Sequence, residues 1–284
     1  MTRDSLMRRT ATAGVLLLLG PLLAGCGGGD DQQAKLSAPP LPVEQLYNNG
    51  MDALEANRYA IAVEQFSSVE ENYPYSQWAS RAQLMLGYTQ YLQNHYDEAI
   101  ATLDRYLQLH PSGPDTPYAT YLRALCYYEQ IEDVQRDQKI TVQAMDALRQ
   151  VADRYPGTPY AQDARLKVDL CRDHLAGHEM VIGRWYEDQH LYAAAMGRYQ
   201  RVVQDFQTTN HVPEALERLV EVYLRLGLRT EAERNAAVLG YNYPGSVWYE
   251  DAYRALYQDK LVSLPPPPSP TRPGFFSRAW HAVF

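Results

Sequence analysis

The sequence predicts an all-α protein built as a stack of helix pairs, and the first observation is a repeated spacing. At four places an alanine is followed by a proline twelve residues later. Strand signals are weak, because β-branched residues seldom alternate with polar ones and no Asn-Gly turn joins two such segments. The four steps are Ala62 to Pro74, Ala99 to Pro111, Ala144 to Pro156 and Ala232 to Pro244.

Each copy of this pattern is interpreted as two antiparallel helices. In the first two copies a glycine, Gly50 or Gly87, stands twelve residues before the alanine and lets the helices cross closely. Bulky residues such as Phe66 and Leu103 are expected to fill the space towards the next repeat. The proline ends the second helix, because it lacks an N–H group and disfavours helix at the preceding residue.

This combination resembles the tetratricopeptide repeat of about 34 residues. One such repeat cannot bury its apolar face alone, so several must stack. We therefore expect a tetratricopeptide-repeat superhelical solenoid of about five helix pairs, ending in a C-terminal capping helix. The alternative is a generic helical bundle in which the prolines recur by chance.

Residues 1–25 predict a lipoprotein signal peptide. Arginines precede a short apolar run at 15–23, and the run ends in LAGC, which resembles the bacterial lipobox. The resemblance implies that Cys26 carries acyl chains such as palmitate and becomes the mature N-terminus. Gly27 rather than aspartate follows, which favours the outer membrane. The alternative is ordinary secretion with a free Cys26.

Two segments flank the predicted repeat domain, which we place at residues 43–260. Residues 26–42 are rich in Gly, Asp, Gln and Pro and predict a flexible tether. Residues 261–284 predict a Pro-rich tail, because a run of prolines is followed by the aromatic segment FFSRAWHAVF. That segment is predicted either to bind a partner or membrane surface or to be a disordered end.

The middle of the repeat domain departs from the regular spacing. Ala124 and Ala144 of the third repeat are twenty residues apart, so the extra residues around 131–140 predict a protruding loop or an added turn. From Pro159 a helical pattern continues to about Gln189 and predicts one long helix.

The sequence contains no convincing catalytic constellation, and we predict a non-enzymatic protein without cofactor or metal. It has no nucleophile elbow, P-loop or dinucleotide-binding glycine motif. His174 and His178 have a spacing that can hold a metal, but no zinc-protease motif surrounds them. Cys126 and Cys171 are predicted to be separate buried thiols, with a disulfide as the alternative. A net charge of −8 does not suggest nucleic-acid binding.

The remaining candidate is a binding surface. The first helix of each pair lines the concave face of such stacks, and tyrosines dominate these positions in the first half of the domain. Tyrosine suits a peptide site because it offers a large contact area at a low entropy cost. The alternative is that these tyrosines pack between helices. The predicted peptide groove comprises Tyr47, Met51, Arg81, Leu84, Tyr88, Tyr91, Tyr118, Tyr121 and Tyr128.

Charged residues take the equivalent positions in the second half. They are Arg184, Glu187, Asp188, Glu214, Glu217, Glu221 and Arg225.

Several segments between residues 46 and 257, together with the lipobox, resemble the BamD (ComL) family of outer membrane assembly lipoproteins. They include AQLMLGY, EAIATLDRYLQLHP, YATYLRAL, RYPGTPYAQDARLK and HLAGHEM. The resemblance implies a subunit of the machinery that folds β-barrel proteins into the outer membrane. It implies that the N-terminal repeats bind the C-terminal strand signal of unfolded barrel proteins. It also implies that the C-terminal repeats bind the periplasmic domain of BamA, with Arg198 as a contact.

Further partners follow from the same resemblance: other Bam lipoproteins, and the outer membrane through the lipid on Cys26. Family members often have Asn before the arginine that corresponds to Arg198, whereas Gly197 stands here. Two alternatives are kept. One is a periplasmic repeat lipoprotein that scaffolds cell-wall or division enzymes, and the other is a metal-dependent hydrolase that uses His174 and His178.

Overall fold

The computed structural model describes residues 41–257, and all regular secondary structure in this range is helical. The predicted signal peptide, the Cys26 lipid site, the tether up to residue 40 and the tail at 261–284 lie outside the described residues. The helices are α1 Val43–Glu55, α2 Tyr59–Asn72, α3 Gln77–Leu92, α4 Tyr96–Leu109, α5 Thr116–Tyr128, α6 Lys139–Arg154, α7 Pro159–Asp188, α8 Tyr192–Asp205, α9 Val212–Arg225, α10 Arg229–Asn242 and α11 Val247–Tyr257.

These helices form five pairs and one final helix. Each helix packs on its neighbours in sequence, and the first helices of successive pairs also touch, as α1 does with α3, α3 with α5 and α5 with α7. The final helix α11 packs on α9 and α10 and closes the stack. The predicted all-α tetratricopeptide solenoid with a capping helix is therefore confirmed.

A glycine lies opposite a bulky side chain in three of the pairs. These are Gly50 with Phe66, Gly87 with Leu103 and Gly183 with Tyr199. A Cβ atom at Gly50 would lie only 2.6 Å from the Phe66 ring, so the close crossing of α1 and α2 requires glycine. Phe66 thus covers the glycine of its own pair, within a core cluster that also includes residues of α3 in the next repeat.

The turn inside a pair has the same construction in four cases. One residue takes a positive φ, at Asn57, Asn94, His190 and Gly227, with φ between 56° and 74°. Asparagine and glycine tolerate this left-handed conformation better than other residues. The side chains at Asn57 and Asn94 each accept a 2.8 Å hydrogen bond from the tyrosine two positions later.

The third pair contains the predicted insertion as a loop between α5 and α6. The loop does not project freely, because it packs against α7. The carbonyl oxygen of Val134 lies 2.6 Å from Nδ1 of His178. A Cβ atom at Gly177 would lie 3.3 Å from the Val134 side chain, so glycine leaves room for the loop. The extra residues thus form a loop as expected, with Glu132, Asp133, Gln135 and Arg136 exposed, while Val134 is held against α7.

The long helix and the two thiols agree with the sequence analysis. Helix α7 spans 30 residues, as the unbroken pattern from Pro159 predicts. Cys126 and Cys171 are both free and buried, so the prediction of separate thiols is confirmed. Burial raises the pKa of the Cys126 thiol to about 12 and that of Cys171 to about 11, which makes both poor nucleophiles at neutral pH.

Candidate functional site

Five partly buried tyrosines from three successive first helices come together in the first half of the stack. They are Tyr88, Tyr91, Tyr118, Tyr121 and Tyr160, which we call the tyrosine cluster. The rings of Tyr121 and Tyr160 stack with centroids 5.4 Å apart and an interplanar angle of 29°. The ring of Tyr118 lies 5.6 Å from that of Tyr160. Four of the five predicted groove tyrosines of α3 and α5 therefore lie close together, whereas the fifth, Tyr128, lies outside the cluster.

Carboxylates accept hydrogen bonds from two hydroxyls of the tyrosine cluster. Tyr121 donates to Asp163 of α7, and Tyr91 donates to Glu129 at 3.4 Å. Burial, together with Glu129, raises the pKa of Tyr91 to about 12. Burial and the hydrogen bond to Asp163 likewise raise the pKa of Tyr121 above its usual value. Both phenols therefore stay protonated and act as donors at neutral pH.

Tyr160 and Asp163, which lie at the start of α7, were not predicted from the sequence. The repeat alignment places only the second part of α7, around Gly183, in the first-helix position of a pair. The motif that could have identified them is the N-terminal turn of α7, where Thr158 caps the helix and Pro159 follows. One helical turn after Asp163, Lys167 lies 3.1 Å from its carboxylate, and its ammonium group lies 5.2 Å from the centroid of the Tyr128 ring.

The predicted groove residues of α1 and the start of α3 form a separate aromatic group. The ring of Tyr47 lies 4.9 Å from that of Trp78 and 5.7 Å from that of Phe66. Arg81 is exposed, with its guanidinium 5.8 Å from the centroid of the Trp78 ring. Met51 packs partly buried against the same core cluster.

Leu84 differs from the other predicted groove residues. It is only 7 % exposed and belongs to the apolar core formed with α4 and α5. Leu84 therefore belongs to the core against which tyrosines of α3 and α5 pack, and it offers little surface to a ligand.

The predicted partner contact Arg198 lies on α8 and is anchored to a nearly buried carboxylate of α7. Arg198 donates to Glu179 at 3.1 Å, and Arg201 donates to the other oxygen of the same carboxylate at 2.8 Å. The Glu179 side chain is 10 % exposed, whereas that of Arg198 is 33 % exposed. Nothing lies within 4 Å of a Cβ atom placed at Gly197. Arg198 is therefore held in place by Glu179, with about a third of its side chain exposed.

The charged positions of the second half form one network across α7 and α9, which we call the acidic cluster. Its members are Arg184, Glu187, Glu214, Glu217, Arg218 and Glu221. Arg184 donates to Glu214 at 2.7 Å, and Tyr199 donates to Glu187 at 2.7 Å. The structure therefore brings together five of the charged residues that the repeat alignment placed on first helices, and adds Arg218 at their centre.

The two histidines with metal-ligand spacing occupy packing positions. His178 contacts the loop between α5 and α6, and the buried Nε2 atom of His174 has no hydrogen-bond partner. Residues 41–257 contain no group of His, Cys, Asp or Glu that could hold a metal ion. Within the same range, no helix combines the length and apolar character needed to cross a membrane.

Comparison with known proteins finds one family model and several curated relatives that match most of the chain. The YfiO model, described as an outer membrane lipoprotein, matches residues 39–239. The outer membrane protein assembly factor BamD of Caulobacter vibrioides is 50 % identical over 253 residues, covering 89 % of this chain and 83 % of that protein. BamD of Rickettsia prowazekii is 42 % identical over 248 residues, covering 87 % of this chain and 97 % of that protein.

Solved structures with a similar arrangement of helices are more distant. The thermophilic TPR protein TTC0263 of Thermus thermophilus is 18 % identical with a TM-score of 0.34, and the match covers 75 % of this chain and 98 % of that one. The type IV pilus biogenesis factor PilW is 15 % identical with a TM-score of 0.33, and the match covers 78 % of this chain and 87 % of that one.

Proposed function

Because the chain belongs to the YfiO (BamD) family of outer membrane lipoproteins, we propose that it is a non-enzymatic subunit of the outer-membrane β-barrel assembly machinery. In this role it binds the C-terminal strand signals of unfolded barrel proteins and the periplasmic domain of BamA. Its contribution to barrel folding is binding alone, which agrees with a helical-repeat scaffold whose named relatives are assembly factors.

The observation that carries this proposal is the tyrosine cluster. An extended peptide with an aromatic end needs ring surfaces for its side chains and donors for its carbonyl groups. The cluster offers ring surfaces, since the Tyr121 and Tyr160 rings stack side by side, and it offers a donor in the Tyr118 hydroxyl, whose pKa is raised by burial so that it stays protonated. Aromatic contacts of this kind contribute about 0.5–1.5 kcal/mol each beyond their buried area.

The second contact of the proposal is Arg198 with BamA. A charged residue that is already fixed by Glu179 loses little side-chain entropy when a partner's carboxylate binds it. The structure therefore supports Arg198 as a preorganised donor for an acidic residue of BamA. Contacts with other Bam lipoproteins belong to the same proposal.

The membrane attachment of the proposal is a lipid on Cys26 at the periplasmic face of the outer membrane. Two or more acyl chains hold a protein at a bilayer without a membrane-spanning helix. The tether predicted at 26–42 would allow α1, which begins at Val43, to stand away from the lipid surface.

The test measures how tightly the full chain, purified in non-ionic detergent, binds a synthetic peptide with the C-terminal sequence of a barrel protein. Tyr88→Ala and Tyr121→Ala should each weaken binding about tenfold, which corresponds to about 1.4 kcal/mol. Tyr241→Ala is the matched control, because Tyr241 is 87 % exposed on α10, outside the cluster. Equal affinity for all three variants, with unchanged circular dichroism, would exclude the tyrosine cluster as the peptide site.

A further inference from the structure

The acidic cluster contains more negative than positive charge. Two guanidinium groups, from Arg184 and Arg218, face four carboxyl groups. Arg218 is shared by all four carboxyl groups, with nitrogen–oxygen distances from 3.1 Å to Glu221 up to 4.0 Å to Glu187 and Glu214. Glu214 is paired with Arg184 at 2.7 Å, whereas Glu187, Glu217 and Glu221 have only Arg218 as a cationic partner, so the carboxyl groups outnumber the guanidinium groups.

Glu217 is the member of the cluster that lacks a good partner. Its side chain is 4 % exposed, and its Oε2 atom is buried without a hydrogen bond. The nearest cationic atom is Nε of Arg218 at 3.7 Å, which is longer than a hydrogen bond, and that Nε atom is itself buried without a hydrogen-bond partner. A buried carboxyl group left in this state costs free energy that an additional cation would recover.

We propose that the acidic cluster is a receptor site for an arginine or lysine side chain presented by a partner protein. The more exposed Glu221, at 37 %, is the entry point for the cation, and Glu187 lies beside it. When the incoming cation pairs with Glu221, the guanidinium of Arg218 is released to turn towards Glu217. The inference goes beyond the proposed function, because it rests on the charge balance of α7 and α9 and not on the identity of a partner.

An organic cation fits this cluster better than a metal ion. Carboxylates that bind Ca²⁺ or Mg²⁺ must converge to within about 2.0–2.6 Å of one point. Within the described part of the chain, no acidic or histidine groups converge in this way. The carboxyl groups instead surround the side chain of Arg218, and a guanidinium offers the several donors that such an arrangement requires.

The protonation state of Glu217 gives a second quantity that can be measured when a cation binds. Burial, with Glu221, Glu187 and Asp251 of α11 nearby, raises the pKa of Glu217 to about 8, although Arg218 opposes the shift. Tyr199 of α8 adds no charge, since its hydroxyl stays protonated and hydrogen-bonded to Glu187. In the free protein Glu217 is therefore mostly protonated at pH 7, and a bound cation should expel its proton.

The test uses the peptide acetyl-Gly-Arg-Gly-Arg-Gly-amide and an analogue with citrulline, which is neutral, in place of arginine. Isothermal titration calorimetry measures the binding of each peptide to the full chain in non-ionic detergent at pH 7. The arginine peptide should bind at least about tenfold more tightly than the citrulline peptide. Titrations in two buffers of different ionisation enthalpy should show release of up to about one proton per bound arginine peptide.

Glu217→Gln should remove both the preference for arginine and the proton release. Glu221→Gln should also weaken the preference, and it serves as a second variant because its side chain is more exposed and tolerates substitution. Glu132→Gln is the control, since it makes the same side-chain change at an exposed position on the α5–α6 loop, outside the acidic cluster. The proposal is overturned if neither peptide binds, if both bind equally, or if Glu217→Gln and Glu132→Gln behave alike.

Discussion

Two glycine-to-alanine substitutions of identical chemistry should change stability in opposite directions. Gly183 lies in α7, where a Cβ atom would collide with the Tyr199 ring. The ring cannot easily move, because it is fully buried and its hydroxyl donates to Glu187 at 2.7 Å. Gly197 lies in α8 with nothing within 4 Å of a Cβ atom.

The expected magnitudes follow from overpacking and helix propensity. Alanine gains about 1 kcal/mol over glycine inside a helix. At Gly183 this gain is outweighed by overpacking, which typically costs about 1–3 kcal/mol, and by strain on the buried Tyr199 hydrogen bond, which contributes about another 1 kcal/mol. Gly183→Ala should therefore destabilise the protein by about 1–3 kcal/mol, whereas Gly197→Ala should stabilise it by up to about 1 kcal/mol.

The assay is urea denaturation of the full chain at 25 °C, followed by far-ultraviolet circular dichroism. Gly183→Ala should lower the transition midpoint and Gly197→Ala should raise it, with similar slopes. If Gly183→Ala is as stable as the wild type or more stable, the close packing of α7 against α8 at Tyr199 is refuted.

Two further predictions concern buried titratable groups. The folded-state pKa of Glu217 is raised from 4.5 to about 8, so its stabilising contribution is complete below pH 4.5 and is lost as the pH rises through 8. The free energy of unfolding of Glu217→Gln should therefore rise relative to that of the wild type between pH 5 and pH 9. The rise is at most about 5 kcal/mol, since one unit of pKa shift corresponds to about 1.4 kcal/mol. A difference in unfolding free energy that does not change with pH would contradict this reasoning. The second prediction is that Cys126 and Cys171 react with a thiol reagent only after denaturation, since both are buried with raised pKa values. Rapid labelling of either thiol in the native protein would show that the helices around it open readily.

The repeated fold could be predicted because its physical requirements appear as fixed spacings. A helix crossing needs a small residue, its partner must fill the gap, and the second helix must end. Gly50, Phe66 and Pro74 meet these three needs in the first repeat. The long helix α7 could also be predicted, because no helix-breaking residue pair interrupts the helical pattern after Pro159.

The residues of the tyrosine cluster could be predicted only where they occupy equivalent positions in successive repeats. The tyrosines of α3 and α5 occupy equivalent positions and were found together. Tyr160 and Asp163 were missed because the first part of α7 has no counterpart in the repeat alignment. The pairing of Arg198 with Glu179 was also missed, since the two residues are separated by the α7–α8 turn and spacing alone does not show which carboxylate a side chain reaches.

Binding to the periplasmic domains of BamA tests the proposed role most directly. Calorimetry or surface plasmon resonance with the full chain in non-ionic detergent should give a dissociation constant of about 1 μM or tighter, close to −8 kcal/mol. Arg198→Gln should weaken binding at least about tenfold. Arg201→Gln is the matched control, because Arg201 holds the same Glu179 carboxylate, and it should change the affinity less than about threefold.

The Arg201→Gln control distinguishes a direct contact of Arg198 with BamA from an indirect effect through the Glu179 carboxylate. Equal losses in Arg198→Gln and Arg201→Gln would mean that the free Glu179 carboxylate disturbs α7 and α8, and that Arg198 is not the contact. We expect tight binding of the wild-type protein and a selective loss of affinity in Arg198→Gln. If the folded wild-type protein shows no binding to BamA, the proposed role in barrel assembly is contradicted.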